Sequence, residues 1–400
     1  MKYRNIIVGV TGGIAAYKTC TLVSSLKKQG HTVHVLMSAN AQKFVSPLTF
    51  QTLSGQKVYT DMFSTDYEPD VHHISLAKEA DLFVIAPASA DVIAKIANGI
   101  ADDMLTTTFL ASRCEKLLVP AMNTGMLDNP ATQRNLEICR NDGIHILESD
   151  SGYLACGDTG RGRMPEAEEI EDAIKMYLCT DRPLTGRKIL ITAGPTRESI
   201  DPVRYITNHS SGKMGYALAR AARNAGADVT LINGPVALQP LYGVSTVSVE
   251  SADEMYQAVM NHYEKNDTVI MAAAVADYRP ALVNTQKIKK EDGDLSLTLM
   301  RTPDILKEVS SHRKAGQTII GFAMETEDLL NNARKKCIEK NCDYIIANSI
   351  SEKGAGFQGD TNIVTIISKD ATVSLPLLSK DEAAVQILKH CLSGKKGSKC

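Results

Sequence analysis

The feature that most constrains this chain is the repeated alternation of short apolar runs with stretches of helical spacing. Residues 4–10, RNIIVGV, run into TGGIAAYK, after which Leu22, Val23 and Leu26 keep helical spacing up to a stop at Gly30. HTVHVLMS follows as a second strand. The rhythm continues through LFVIAPAS, a helix from about Asp91, the helix DMLTTTFLAS, the strand KLLVPAMN, a helix opened by Asn129 and Pro130, and IHIL. Parallel strands need long crossovers, and helices of this length supply them, so the pattern predicts a doubly wound α/β sheet. The acidic stretch PEAEEIEDAIKMYL, with Pro165 in its first turn, closes this half.

At residues 180–188, TDRPLTGRK, polar and Pro/Gly content rises and the strand rhythm restarts with ILITAG, which places a domain boundary there. The second half again reads α/β: GKMGYALARAARNAG, DVTLIN, ADEMYQAVMNHY and TVIMAAA. KIKKEDGDLSLTLM reads as an inserted hairpin of two short strands around a polar DG turn. TIIGFAME, a helix to about Asn341, YIIANS and NIVTIIS complete the set. The expectation is two doubly wound, Rossmann-like parallel-sheet domains, over residues 1–180 and 186–392, with a disordered tail at 393–400.

A net charge of -2 and a pI near 6.5 give no long-range field for nucleic acid or an anionic membrane, so neither is expected as a partner. The longest apolar runs fall short of the roughly 20 residues of a bilayer span. The start, MKYRNIIVGVTGG, lacks the apolar core of a secretory signal. Nine cysteines with no C-x-x-C pair fit reduced thiols, so a soluble, cytoplasmic protein is expected. No Cys or His cluster has metal-ligand spacing.

Ligands of open α/β sheets sit at the carboxyl ends of strands. TGGIAAYK follows a strand and opens a helix, so its backbone N–H groups could cradle a phosphate. A dinucleotide site would want G-x-G-x-x-G and an acid ending the second strand, and Ser38 stands there instead. That disfavours NAD and leaves open a mononucleotide with one phosphate, such as FMN. In the second half Asn233 ends the equivalent strand, and SSGKMG is no P-loop, having Thr207 upstream and Met214 after the Lys.

Asn123, in PAMNTGM, reads either as a turn residue or as a ligand group at a strand end. His72 and His73 lie just before the helix LAKEA, as solvated loop residues or as part of a site. Asp277 ends a strand too apolar to face solvent. Lys287, Lys289 and Lys290 form either a charged hairpin edge that blocks aggregation or a clamp for a triphosphate.

Taken in order, TGGIAAYK, HIS, APASAD, PAMN, ACGDTGRGRM, ITNHSSGKMG, AAAVADYRP, KIKK, PDIL and GFAMET resemble one family over essentially the whole chain. It is the bifunctional bacterial flavoprotein of coenzyme A synthesis, phosphopantothenoylcysteine decarboxylase fused to phosphopantothenate-cysteine ligase. The resemblance implies an N-terminal flavoprotein domain and a C-terminal nucleotide-using ligase domain. In the first, FMN is expected against Gly12, Gly13, Ser38, Ser89 and Met104, with His73 as the essential histidine. Asn123 is expected to hold the departing carboxylate, and Cys156, on a flap over the flavin, to donate a proton.

In the second, Asn208 is expected to serve the attack of cysteine on the activated acid. CTP, carried with Mg²⁺, is expected to meet Met271, Ala272, Ala273, Asp277 and Lys287. Pro303, Asp304, Ile305, Leu306 and Phe322 would surround cytidine and phosphates, with Lys336 and Lys340 as further basic contacts. The substrates implied are 4'-phosphopantothenate, cysteine and CTP. The assembly implied is a homo-oligomer of decarboxylase trimers joined by ligase dimers, up to a dodecamer. Leu127 stands where an aromatic often follows the PAMN motif, and Ser199 replaces a Pro, which touches loop shape. Rival readings are a flavin-binding regulatory subunit without catalysis and a nicotinamide oxidoreductase. The first would predict loss of His73, Asn123 or Cys156, all present, and the second is weakened by the missing ribose acid.

Overall fold

The computed structural model describes residues 3–63, 71–155, 157–290, 295–325, 329–349 and 359–392. Cys156, the Asp292–Gly293 turn and the tail 393–400 lie outside the described residues. The chain forms two compact units, Met1–Thr180 and Asp181–Cys400.

The first unit is built on strands β1 (Asn5–Val10), β2 (Thr32–Met37), β3 (Val58–Tyr59), β4 (Leu82–Ala88), β5 (Glu115–Pro120) and β6 (His145–Ile146). They form one parallel sheet in the order β3-β2-β1-β4-β5-β6. β4 is buried at every position, the mark of a central parallel strand covered on both faces. The crossovers carry α1 (Ala16–Lys28), α2 (Pro47–Ser54), α3 (His72–Glu79), α4 (Ala90–Ala97), α5 (Met104–Ala111), α6 (Thr124–Leu127) and α7 (Pro130–Asn141). Their starts follow local chemistry. Ser89 caps α4, and Asp103 and Thr106 form a reciprocal capping box on α5. An antiparallel hairpin, β7 (Asp150–Tyr153) and β8 (Thr159–Arg163), precedes α8 (Ala167–Leu178).

Two expectations need correction here. His72 and His73 are not in a loop but form the first turn of α3. Pro165 lies just outside α8, whose cap is Glu166.

The second unit opens with β9 (Lys188–Ala193), β10 (Arg197–Ser199), β11 (Tyr205–Thr207), α9 (Lys213–Asn224), β12 (Asp228–Asn233), β13 (Ser245–Ser248) and α10 (Ala252–His262). It continues with β14 (Thr268–Met271), β15 (Tyr278–Pro280), β16 (Leu299–Arg301), α11 (Ile305–Ser311), β17 (Thr318–Glu325), α12 (Leu329–Glu339) and β18 (Tyr344–Ser349). It ends with β19 (Thr361–Asn362), β20 (Val364–Ile367), β21 (Thr372–Ser374), β22 (Leu378–Ser379) and α13 (Lys380–Leu392).

Its eight-stranded sheet has the order β13-β12-β9-β14-β17-β18-β20-β21, parallel through β18 and antiparallel in its last two strands. Helices α9 and α13 cover one face, and α10, α11 and α12 the other. The inserted hairpin differs from expectation. Its ladder pairs Tyr278–Pro280 with Leu299–Arg301, and the KIKK segment is in no strand. Tertiary bonds explain this: Ile288 N–H donates to Asp201 Oδ2 at 3.1 Å, and its carbonyl accepts from Arg204 at 2.6 Å.

Candidate functional site

In the first unit the chain reverses direction across the sheet between β1 and β4, which opens a crevice at their carboxyl ends. Thr11, fully buried, ties the two ends together: its hydroxyl donates to Pro87 O at 2.8 Å and accepts from Ser89 N at 3.0 Å. A Cβ on Gly12 would lie 2.5 Å from Asn40 Cβ, whereas Gly13 faces open space. Glycine is needed at residue 12 so that the β2 loop can approach, and Gly13 leaves room beside the start of α1. Ser38 N–H donates to Val10 O at 3.0 Å, placing that serine on the same edge. Leu105 reaches the space over Gly9, so the first turn of α5, with Met104 buried in it, sits over the end of β1. His72 packs its ring against Tyr59, centroids 5.3 Å apart, at the end of β3. His73 is half-buried beside it in the same turn.

Asn123 caps α6: its Oδ1 accepts Gly125 N–H at 2.8 Å. Its amide donates to Asp158 Oδ2 at 3.3 Å, across to the hairpin of β7 and β8. That hairpin is laid on the PAMN segment backbone to backbone. Met122 N–H donates to Gly162 O at 3.0 Å, and Thr124 Oγ1 donates to Arg161 O at 2.7 Å. Gly162 has φ +123, and a Cβ there would stand 2.1 Å from Met122 O. A Cβ on Gly160 would meet Thr124 Oγ1 at 2.5 Å. Two glycines of GDTGRGRM therefore permit the contact that aims Asn123. At the hairpin's far end Glu166 accepts from Lys18 at 2.8 Å and pairs with Arg163; the bond from Lys18 holds its carboxyl below the ordinary range.

In the second unit a cavity of about 620 Å³ opens at the carboxyl ends of β14, β17 and β18. Met271, Ala272, Ala273 and Asp277 line one side, Pro303 to Leu306 another, and Phe322, Lys336 and Lys340 a third. The loop after β14 is held open by buried hydroxyls: Thr192 accepts Ala273 N–H at 3.1 Å and Thr196 accepts Ala276 N–H at 3.0 Å. Thr302 donates to Ala276 O at 2.6 Å. Five cationic side chains line the cavity, Lys213, Arg301, Lys336, Lys340 and Lys380, against two carboxylates, Asp277 and Asp304. Lys340 pairs with Asp304, and burial pushes its ammonium below the ordinary lysine range despite the nearby Asp277 charge. Burial, with the Lys213 charge adding to it, does the same to Lys380, which donates to Gly359 O at 2.6 Å.

Asn208 stands at the rim, its amide donating to the carbonyls of Ala274 at 3.0 Å and Val275 at 3.3 Å. Lys287 is exposed and is not among the lining residues. Sequence reasoning missed Thr11, Gly160 and Gly162 in the first unit and Lys213, Asn348, Asn362 and Lys380 in the second. Asn348, polar at the end of an apolar strand, carried the same signal as Asn123. Lys380, at the start of a charged helix, carried none.

The family described as Flavoprotein matches residues 1–178, and the DNA/pantothenate metabolism flavoprotein C-terminal domain matches residues 184–394. A Bacillus subtilis protein named coenzyme A biosynthesis bifunctional protein CoaBC is 49% identical over 97% of this chain and 96% of its own length. The chain belongs to the CoaBC family. A Vibrio vulnificus CoaBC is 45% identical, with 97% of each chain covered. A crystal structure of a CoaBC C-terminal domain is 50% identical, covering 52% of this chain and 95% of that one, with a TM-score of 0.45. Like its CoaBC relatives the chain is a flavoprotein followed by a second α/β unit. No helix among its described residues is long and apolar enough to cross a membrane.

Proposed function

We propose that this chain couples 4'-phosphopantothenate to cysteine in its second unit and decarboxylates the product in its first, as a bifunctional enzyme of coenzyme A synthesis. The observation that carries this is that one CoaBC-family chain holds two separate strand-end sites of different electrostatic character. The glycine-lined crevice of the first unit suits a cofactor with one phosphate, and the lysine-rimmed cavity of the second suits a nucleoside triphosphate.

The residues of the first unit fit FMN: Gly12 and Gly13 bring backbone close at the start of α1, with Ser38 and Ser89 on the flanking strand ends. When bound, the flavin supplies the two-electron oxidation that lets the substrate's carbon–sulfur end accept the electron pair left by CO₂. Asn123, with its carbonyl oxygen fixed by Gly125 N–H, presents its amide to the substrate carboxylate. His73 shapes the pocket at the start of α3. Cys156, outside the described residues but carried between β7 and β8, returns a proton to the product, as a thiol can near neutral pH.

In the second unit Lys336 and Lys340 offset the charge of CTP, and Lys287 reaches the triphosphate from the rim. CTP and phosphopantothenate exchange pyrophosphate for an acyl-cytidylate; the amine of cysteine then displaces CMP and forms the amide, with Asn208 orienting the acyl group. Among the described residues no three His, Cys, Asp or Glu are grouped to hold a metal. Mg²⁺ would enter mainly on the triphosphate. The assembly proposed is a homo-oligomer of first-unit trimers joined by second-unit dimers, in the cytoplasm.

The test uses the purified full chain. A flavin absorption spectrum, CMP release that requires phosphopantothenate and cysteine, and CO₂ release from phosphopantothenoylcysteine are expected together. Flavin binding with neither product would favour the regulatory reading.

A further inference from the structure

We propose that Cys337 and Cys342 are a dithiol modification site that a hydroperoxide converts to an intramolecular disulfide, disabling the adjacent lysine-rimmed cavity. The argument starts from how α12 ends. Asn341 adopts φ 52, its N–H donates to Ile338 O at 3.1 Å, and Cys342 N–H donates to Cys337 O at 3.2 Å. This pair of bonds is a Schellman motif, which folds the residue after the left-handed position back onto the last helical turn and usually seals the two with an apolar contact. Here both positions carry cysteine.

The two thiols are buried together, Cys337 at 0% and Cys342 at 1% exposure, in the core with Ile319, Ala333 and Ile345. Each sulfur lies against the other residue's carbonyl: Cys337 Sγ is 3.3 Å from Cys342 O, and Cys342 Sγ is 3.7 Å from Cys337 O. The two sulfurs are therefore neighbours, and the closeness of Cys342 favours the thiolate of Cys337 against the opposing effect of burial, while Cys342 stays protonated. The oxidation is written with Cys337 attacking and Cys342 resolving.

The chemistry balances with one equivalent of hydroperoxide. The Cys337 thiolate attacks the terminal peroxide oxygen, the O–O bond breaks, and an alcohol or water leaves as Cys337 becomes a sulfenic acid. Cys342 then attacks that sulfur, expelling water and forming the disulfide. Two thiols lose two electrons, the peroxide gains them, and a thiol reductant reverses the step. Both sulfurs are buried, so the peroxide reaches them when the end of α12 opens locally.

The consequence follows from what the same turn carries. Lys336 and Lys340 flank Cys337 and line the cavity, and Lys340 is tied to Asp304 on the opposite wall. A sulfur–sulfur bond of about 2.05 Å requires both sulfurs to leave the carbonyls they now lie against. We infer that the turn shifts as they do, and a displacement near 1 Å can cost about 100-fold in rate.

The experiment treats the full chain with its flavin with limiting hydrogen peroxide, alkylates it under denaturing conditions and maps the peptides. The expected product is a Cys337–Cys342 disulfide, with nucleotide-dependent ligation down about 10- to 100-fold and restored by dithiothreitol. Cys342→Ala should keep its reduced activity and lose the sensitivity. The mapping does not depend on what the cavity binds; the loss of ligation rests on the reading above, so failure of one is distinguishable from failure of the other. Alkylation of both cysteines in peroxide-treated protein that has lost ligation would overturn the proposal. So would a complete disulfide with ligation unchanged.

Discussion

Gly162→Ala tests how the first unit aims Asn123. The methyl would start 2.1 Å from Met122 O at a backbone φ of +123. The conformation alone costs a residue with a Cβ about 1 to 3 kcal/mol, and the contact can be relieved only by moving the hairpin more than an ångström. What holds the hairpin down is of similar size. The bonds of Met122 to Gly162 at 3.0 Å, Thr124 to Arg161 at 2.7 Å and Asn123 to Asp158 at 3.3 Å contribute about 1 kcal/mol each. The exposed pair of Arg161 with Asp128 at 2.6 Å adds at most about 1 more. Strain therefore matches the docking energy, and the hairpin should lift.

The apolar core of the unit lies elsewhere, around Phe83, Ile85, Leu105 and Leu118, so the fold should survive. Expected are CO₂ release down about 100-fold, loss of amide-exchange protection over residues 150–163, and unchanged ligation as the internal control. Gly143→Ala, strained at φ +80 but with nothing within 4 Å, should leave CO₂ release intact. A Gly162→Ala protein that decarboxylates normally with a protected hairpin would refute the link between this contact and Asn123.

Three further outcomes follow. Burial acts to raise the Asp201 carboxyl, but N–H bonds from Val203, Ile288 and Arg204 and the Arg204 guanidinium more than offset it, holding it below its ordinary 3.8. That stabilisation is present above 3.8 and lost as pH falls below it; Asp201→Asn should melt earlier at neutral pH, with the difference closing in acid, and a pH-independent difference would refute the assignment. Lys287→Gln should slow pyrophosphate release about 10- to 150-fold, for a charge-assisted bond of about 1.5 to 3 kcal/mol; an unchanged rate would leave KIKK a solvated segment. Residues 181–400 expressed alone should fold around their own core and ligate, and a folded but inactive fragment would tie ligation to the first unit.

The strands and crossovers were legible because central parallel strands must be apolar at every position, as β4 is. Strand-end reasoning likewise singled out Asn123, which caps α6 as its turn reading expected, and Asp277, which lines the cavity. What failed depended on partners distant in sequence. Nothing local shows that Gly162 makes room for Met122, 40 positions away. KIKK beside a DG turn has the composition of a hairpin, but Asp201 and Arg204 claim the backbone of Ile288 and draw the segment out of any ladder. Lys336 and Lys340 were reached through family resemblance alone, because a charged helix face reads as solvated until the sheet behind it is known.

The two sites begin from the same wound sheet and diverge in how they meet negative charge. In the first unit the single phosphate proposed at Gly12 and Gly13 would rest on backbone, and Lys18 of α1 is already paired with Glu166. A triphosphate carries more charge than one helix start can balance, and the lysines that line the second unit's cavity from α9, α12 and α13 fit the nucleotide proposed for it. Holding ammonium groups in a half-buried cavity is unfavourable: burial lowers the ranges of Lys340 and Lys380, and the Lys213 charge adds to the second. Asp304 and Asp360 offset that cost before a nucleotide arrives, one paired with Lys340 and the other 2.6 Å from Lys213. On the proposed reading, entering phosphates would exchange with carboxylates already in place. Acidic residues suit the proposed anion site for that reason: Asp304 in the cavity lining and Asp360 outside it hold Lys340 and Lys213 in place.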